Sequence, residues 1–552
     1  MTTENKEQLD ETRIFINGTV LTLDADNRTT EAVAVRNGRI EAVGTSEDVK
    51  QQITGQSHIV DLQGQTVIPG FIEAHGHFPL SGLDAVGVNL NSPPIGSKTC
   101  ISEVIEALKK KATGMEKGKW VFGQGYDDTN LAEKRLLVRA ELDEVSTDHP
   151  VFVNHISGHL GTANSLALEA AGFDAQTPDP EGGVICRDAE TGELTGELEE
   201  TANFMVCQLA TNLTVDENQA VIKWAVEDYA RNGVTTVQSG FTDETLFTGL
   251  SAASQFGQIP LRVVIWPDAE LSEKMITGKF ETESHNTELF QIGAAKIIGD
   301  GSIQGYTAYL TEPYHTAYKN DRDYRGYPVT ERKVMAELVK KFHRAGMQIA
   351  IHGNGDATID DIIYAVDAAQ KECPREDHRH MLIHCQTARH DQLDEMKRLG
   401  ITPSFFSAHA YYWGDRHYNI FLGPERACRQ NPARSALEKG IRFSIHLDTP
   451  VTPINPLLLV WSAVNRLSTG GNPIGEDERI SALQALRATT IDAAWQIFQE
   501  DNRGSIEVGK LADLVILSEN PLTVDKTQIK DIRVEQTFVG GRSVYQRIQD
   551  SA

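Results

Sequence analysis

The chain opens and closes on short apolar runs broken by turn residues. Ile14-Phe15-Ile16 runs into Asn17-Gly18, and Ala32-Val33-Ala34-Val35 runs into Asn37-Gly38. Asn-Gly after an apolar run marks a tight hairpin, because both residues tolerate positive φ. Arg39 to Gly44 continues the pattern as a further strand. The texture returns in Ala512 to Leu517 and in Val534 to Val544 around Gly540-Gly541. Strand-rich ends around one long middle predict a small β-domain built from both termini, residues 1–66 with 505–552.

The middle alternates apolar strands with amphipathic helices. Eight strand-like segments are Thr66–Ala74, Val234–Gln238, Leu261–Trp266, Ala294–Gly299, Met347–Ile351, Met381–Ile383, Ile401–Phe406 and Ile441–Leu447. Helical periodicity runs from Glu331 to Ala345, ending at Gly346, and from Thr358 to Lys371, ending before Pro374. Eight βα repeats predict an α/β fold, a (β/α)8 barrel over residues 67–504. The stretch between the first two strands far exceeds an ordinary connection. Residues 80–214 therefore read as an insertion with its own structure, covering the pocket.

A barrel collects its chemistry at the C-terminal ends of its strands. The first strand ends Glu73-Ala74-His75-Gly76-His77. Residues two apart in extended chain share a side, so His75 and His77 face one point. Paired imidazoles suit zinc, iron, nickel or manganese. Lys296 lies in the apolar fourth strand, which is costly unless the amine is paired, neutralised or modified. His352 ends the fifth strand, His384 the sixth and Asp448 the eighth. Each alone is compatible with a structural role; together they predict a centre for one or two divalent ions, zinc first.

A second tier of residues surrounds this set. His446 shares the phase of Asp448, where it would orient a ligand, touch substrate or pack in the core. His155 and His159 fall in the insertion. His409, Tyr411, Tyr412, Trp413 and Arg416 follow the seventh strand, where His409, Trp413 and Arg416 would contact substrate and the aromatics grip an apolar group. Asp300 and Gly301 read as shaping the loop after the lysine. The acidic run Glu197-Leu198-Glu199-Glu200 reads as a solvated helix face.

Composition narrows the function classes. The 552 residues are 40% hydrophobic and 24% charged, which argues against disorder, collagen and coiled coil. A net charge of −26 would repel nucleic acid and anionic membranes. The longest apolar run, near Leu457–Val464, is far short of a membrane span. The polar start carries no secretory pattern, and the six cysteines form no CxxC pair. These features predict a cytoplasmic protein acting on a small molecule, with neither nucleic acid nor membrane as partner.

The run from Val67 to His77, VIPGFIEAHGH, and the run from Gly504 to Val515, GSIEVGKLADLV, resemble the entry and re-entry motifs of the amidohydrolase superfamily. More narrowly, Lys296 to Ala308, His409 to His417 and Leu422 to Ala427 resemble the branch that includes N-substituted formamide deformylase. The resemblance covers nearly the whole chain. It implies a barrel with a composite β-sandwich from the two termini, and association into homo-oligomers. It implies that His75 and His77 bind the more buried metal and that a carboxylated Lys296 bridges two ions. His352 and His384 would bind the second ion. Asp448 would ligate the first and act as general acid and base, with His159, beside His155, on the substrate carbonyl or leaving group. Water shared by the ions would have its pKa lowered towards about 7.

The implied reaction is cleavage of a non-peptide C–N bond in an amide, N-substituted formamide, carbamate or cyclic amide. A one-metal deaminase of an aminated ring competes, but such relatives generally lack the bridging lysine. A non-catalytic regulatory or binding protein on the same fold also competes, and the intact ligand set argues against it.

Overall fold

The computed structural model describes residues 12–54 and 56–548. Residues 1–11 and 549–552, assigned above to the terminal β-domain, lie outside the described residues. The two ends of the chain share a six-stranded sheet. Thr19–Leu21 pairs in parallel with Thr66–Pro69, which pairs antiparallel with Leu514–Leu517. Val534–Val539 and Arg542–Gln546 extend it on one side and Thr29–Thr30 on the other. Thr12–Ile16, Ala32–Arg36, Arg39–Gly44 and Ser57–Asp61 form a second, four-stranded sheet. Phe15, Val33, Val67, Leu514 and Phe538 share one buried cluster between them.

The segment expected as one strand, Thr66–Ala74, is two. Thr66–Pro69 belongs to the terminal sheet, and only Phe71–Ile72 joins the parallel one. The chain therefore enters the parallel layer at Phe71 rather than at residue 67. The break falls at Gly70, where a Cβ would stand 2.2 Å from Thr235 Oγ1.

Eight parallel strands carry the middle: β1 (Phe71–Ile72), β2 (Val234–Thr242), β3 (Arg262–Pro267), β4 (Ala295–Ile298), β5 (Ile349–Gly353), β6 (Met381–His384), β7 (Thr402–Phe405) and β8 (Ser444–Ile445). The ladders run β1-β2-β3 and β4-β5-β6-β7-β8. Two seams join them. Phe290–Ile292 pairs with β3 and leads through Gly293-Ala294 straight into β4. At the other seam the Leu447 amide donates to Glu73 Oε1 at 2.8 Å, and the Asp448 amide donates to His75 O at 3.1 Å.

Helices separate the strands. Arg332–Arg344 buries Met335, Ala336, Val339 and Phe342, the i, i+3/i+4 stripe that faces a core, and Gly346 follows at φ 84°. Asp356–Glu372 is the other expected helix. The insertion carries its own six-stranded sheet, ordered Gly183–Arg187, Leu194–Glu200, Leu160–Ala163, Val151–His155, Val121–Tyr126, Val88–Asn89.

The acidic run 197–200 is therefore strand, not helix, and Glu199 and Glu200 are buried. Partners compensate that burial: Lys319 and Tyr327 contact the Glu199 carboxylate, and His159 contacts Glu200. Among the described residues, no helix is long and apolar enough to cross a membrane.

Candidate metal centre

Short strands end where their side chains turn inward, and six of those side chains meet. His75, just past β1, stacks flat on Trp266 of β3, with ring centroids 5.1 Å apart. Its Nε2 lies 3.2 Å from Lys296 Nζ on β4 and 3.4 Å from Asp448 Oδ1 beyond β8. His77 Nε2 approaches the same oxygen at 3.2 Å. His384 Nε2 stands 3.8 Å from Asp448 Oδ2, and the His352 ring lies 4.6 Å from the His384 ring. Asp448 and His384 adopt φ of 56° and 70°, left-handed values that turn the chain as it leaves each strand.

Outer contacts aim the imidazoles. His352 Nδ1 meets Asp300 Oδ1 at 3.1 Å, which leaves Nε2 for the centre. The two Asp300 oxygens also accept the backbone amides of Asn354, Gly355 and Tyr309. Behind His384, His446 Nε2 meets its Nδ1 at 3.1 Å, and Ser404 Oγ holds His446 Nδ1 at 2.8 Å. His446 thus orients His384 and does not reach the cavity. Carboxylate or histidine partners of this kind fix both tautomer and ring direction.

Burial sets the charges. It drives His75, His352 and His384 well below the usual imidazole range, so they stand neutral with lone pairs free. It pushes Lys296 down to about 7. It works to raise Asp448, but the neighbouring His77 and other cationic groups outweigh it and hold the carboxyl below its ordinary value. It lifts Glu73 to about 8.

These residues fit a divalent cation. Ligand atoms of His75, His77 and Asp448 lie within 4.8 Å of one another. Asp448 Oδ1 is buried between the two imidazoles without a hydrogen-bond donor. Imidazole nitrogens converging on an orphaned carboxylate oxygen form the nitrogen-and-oxygen donor set that zinc and its neighbours take.

A cavity of about 570 Å³ opens over the centre. His77, Lys296, His352, His384 and Asp448 line its inner end, and the insertion supplies His155 and His159 on one wall. His155 has both nitrogens engaged, by Asp128 at 3.2 Å and Ser157 at 2.9 Å. His159 gives Nδ1 to Glu200 at 2.6 Å and keeps Nε2 free. Burial works to lower the His159 pKa, but the Glu200 carboxylate outweighs it and raises it.

Three residues expected at the substrate lie elsewhere. Trp413 is buried and donates Nε1–H to Asp127 Oδ2 at 3.2 Å, and Arg416 Nη1 meets the same oxygen at 2.6 Å. Asp127 is a buried carboxylate of the insertion, and its need for a counter-charge draws this loop off the cavity. His409 is packed among Phe406, Trp413 and His417. Neither Trp413, Arg416, His409 nor His446 lines the cavity.

Sequence reasoning gave Asp300 only as a loop-shaper, read Glu200 as part of a solvated helix face and passed over Glu73. Asp300 had a signal: an acid between two glycines directly after the strand that carries Lys296. Glu73 sits two residues before His75 but reads as an ordinary strand acid. Glu200 had none, because its partner stands 41 residues away.

Parallel strands whose C-terminal ends gather histidines, a lysine and an aspartate beneath a covered cavity are the frame of a metal-dependent hydrolase. The family model described as "Amidohydrolase family" matches residues 58–545, and the chain belongs to that family. It is similar to an N-substituted formamide deformylase of Arthrobacter pascens, 31% identical, covering 97% of this chain and 98% of the relative. It is 28% identical to a putative amidohydrolase, YtcJ, of Bacillus subtilis (97% and 99% coverage). Among solved structures, a metal-dependent hydrolase of Pyrococcus horikoshii matches with TM-score 0.75 at 25% identity, covering 94% of this chain and 99% of that one.

Proposed function

We propose that the protein is a metal-dependent amidohydrolase that cleaves a small non-peptide C–N bond. N-substituted formamides are the first class to test, then other amides, carbamates and cyclic amides. The observation that carries the reading is the convergence of His77, Lys296, His352, His384 and Asp448 at the inner end of the cavity, with His75 buried against them. The similarity to the Arthrobacter enzyme supports the formamide choice. His75, His77 and Asp448 would hold one ion, and His352 and His384 a second. Lys296 would lie between them as a carbamate, formed when its neutral amine adds to carbon dioxide and releases a proton. A lysine pushed down to about 7 is ready for that addition.

Zinc is the first choice, with iron, manganese or nickel as alternatives. When bound, such ions polarise a carbonyl and acidify water enough for attack at neutral pH. The Asp448 carboxylate then takes a proton from the attacking water and hands it to the departing nitrogen. His159, with Nε2 turned to the cavity, holds the carbonyl oxygen or the leaving group. Cysteines free of disulfides fit a cytoplasmic setting.

The test is metal analysis with turnover before chelation, after it, and after reloading with each ion. Formate or other acid should appear with the free amine, track metal content and vanish in the stripped protein. Undiminished cleavage by metal-free protein would sink the proposal. Ammonia released from aminated purines, without amide cleavage, would replace it with a deaminase.

A further inference from the structure

The His159–Glu200 pair is built with more care than a wall of the cavity needs. Two hydrogen bonds tie the residues: His159 Nδ1 to Glu200 Oε2 at 2.6 Å, and the Glu200 amide to His159 O at 2.8 Å. The pair continues the ladder between Leu160–Ala163 and Leu194–Glu200 by one step, since Leu160 already faces Glu199. Glu200 is fully buried, and its Oε1 has no hydrogen-bond partner. Its backbone sits at φ 49°, ψ −118°, a conformation unfavourable for any residue with a side chain. Room for the carboxylate comes from the loop after β4: a Cβ at Gly301 would stand 2.0 Å from Glu200 Oε1.

A buried anion and a left-handed glutamate are both unfavourable, and an apolar side chain there would avoid both. What the arrangement secures is the direction of one ring. With Nδ1–H donated to a fixed carboxylate, the tautomer is set and Nε2 is the nitrogen facing the cavity, beside the His352 ring 5.2 Å away. We infer that Glu200 is a positioning residue for the reaction: it locks His159 with Nδ1–H on the carboxylate, so that the Nε2 lone pair accepts the N–H of the substrate's leaving nitrogen. The inference rests on the role proposed above for His159.

The test uses the metal-loaded full chain, with formate release from N-alkyl and N-aryl formamides as the readout. Glu200→Gln and Glu200→Ala should lower kcat about 10- to 100-fold, with KM moving far less and bound metal unchanged. Glu200→Asp should recover part of the rate. In a His159→Asn background, Glu200→Gln should cost nothing further, because a residue acting only through His159 is silent without it. Full kcat in Glu200→Gln, an undiminished loss in the His159→Asn background, or a loss of metal would each overturn the inference. Imidazole ¹⁵N spectra, with the His159 signal assigned by its loss in His159→Asn, separate this failure from that of the functional reading. The Nδ1-protonated tautomer should disappear in Glu200→Ala. A tautomer unchanged there overturns the inference whatever the turnover, whereas absent turnover with a tautomer that responds overturns only the reaction.

Discussion

In the proposed reaction Asp448 carries both proton transfers. It stands between His75 and His77, faces His384, and is the only carboxylate among the six converging residues. Asp448→Asn keeps the shape but cannot take up a proton from water. Its kcat should fall by about 10²–10⁴-fold, measured as acid release at equal metal occupancy. Asp300 acts one step back. Replacing it by Asn removes the charge opposite His352 Nδ1 and frees that ring to turn. Metal affinity should weaken about 10- to 100-fold in a chelator competition, with the fold intact by circular dichroism. The candidate ligands were legible because each ends or interrupts an apolar run, where a polar residue demands a reason. Asp300 was legible only as a loop-shaper, because two of its bonds go to amides more than fifty positions away.

At the level of elements, the helix Arg332–Arg344 is joined to β5 and β6 by a row of buried histidines at the opposite end of the strands from the candidate metal ligands. His343 Nδ1 meets His380 Nε2 at 2.7 Å, and His343 Nε2 donates to Cys373 O. The Ile349 amide donates to His380 Nδ1, and the His380 amide to His378 Nδ1. Every nitrogen in this row is committed with neutral rings. Burial holds His380 well below its ordinary 6.5, and the nearby rings and Arg375 add to the effect. Below pH 6.5 the unfolded chain therefore binds a proton that the folded chain refuses, and stability falls as pH falls. His380→Gln keeps one donor and one acceptor without the charge. Its unfolding free energy should decline between pH 6.5 and 5 less steeply than the wild type, the difference in slope approaching about 1.4 kcal/mol per pH unit towards pH 5, in denaturant titrations. The strands themselves were visible as apolar runs, and the helix Arg332–Arg344 as a 3.6-residue stripe. The division of 66–74 at Gly70 was not, because the reason for it is Thr235, a neighbour only in space.

For the whole molecule, the question is what keeps the terminal sheets docked on the strands that hold the site. Arg262 of β3 pairs in fork fashion with Asp513, Nε to Oδ2 at 2.7 Å and Nη2 to Oδ1 at 2.9 Å, with both side chains buried. The Gly540 amide adds a third bond to that carboxylate. Asp513→Ala would leave the buried guanidinium only the contacts of its Nη1 with Glu288, and global stability in denaturant unfolding should drop by about 3 kcal/mol. The same logic holds the insertion, where Asp127 draws in Trp413 and Arg416. The sequence by itself determined the class of fold, and it pointed to the meeting of the two ends and to the candidate ligand set. All three follow from local periodicity, and from the cost of putting histidine, lysine or aspartate at the end of a buried strand. Only the tertiary structure decided which residues aim those ligands, which aromatics leave the cavity and why an acidic run is buried. Those outcomes depend on charges and hydrogen bonds satisfied across tens or hundreds of residues, and no local pattern records which partner the folded chain brings near.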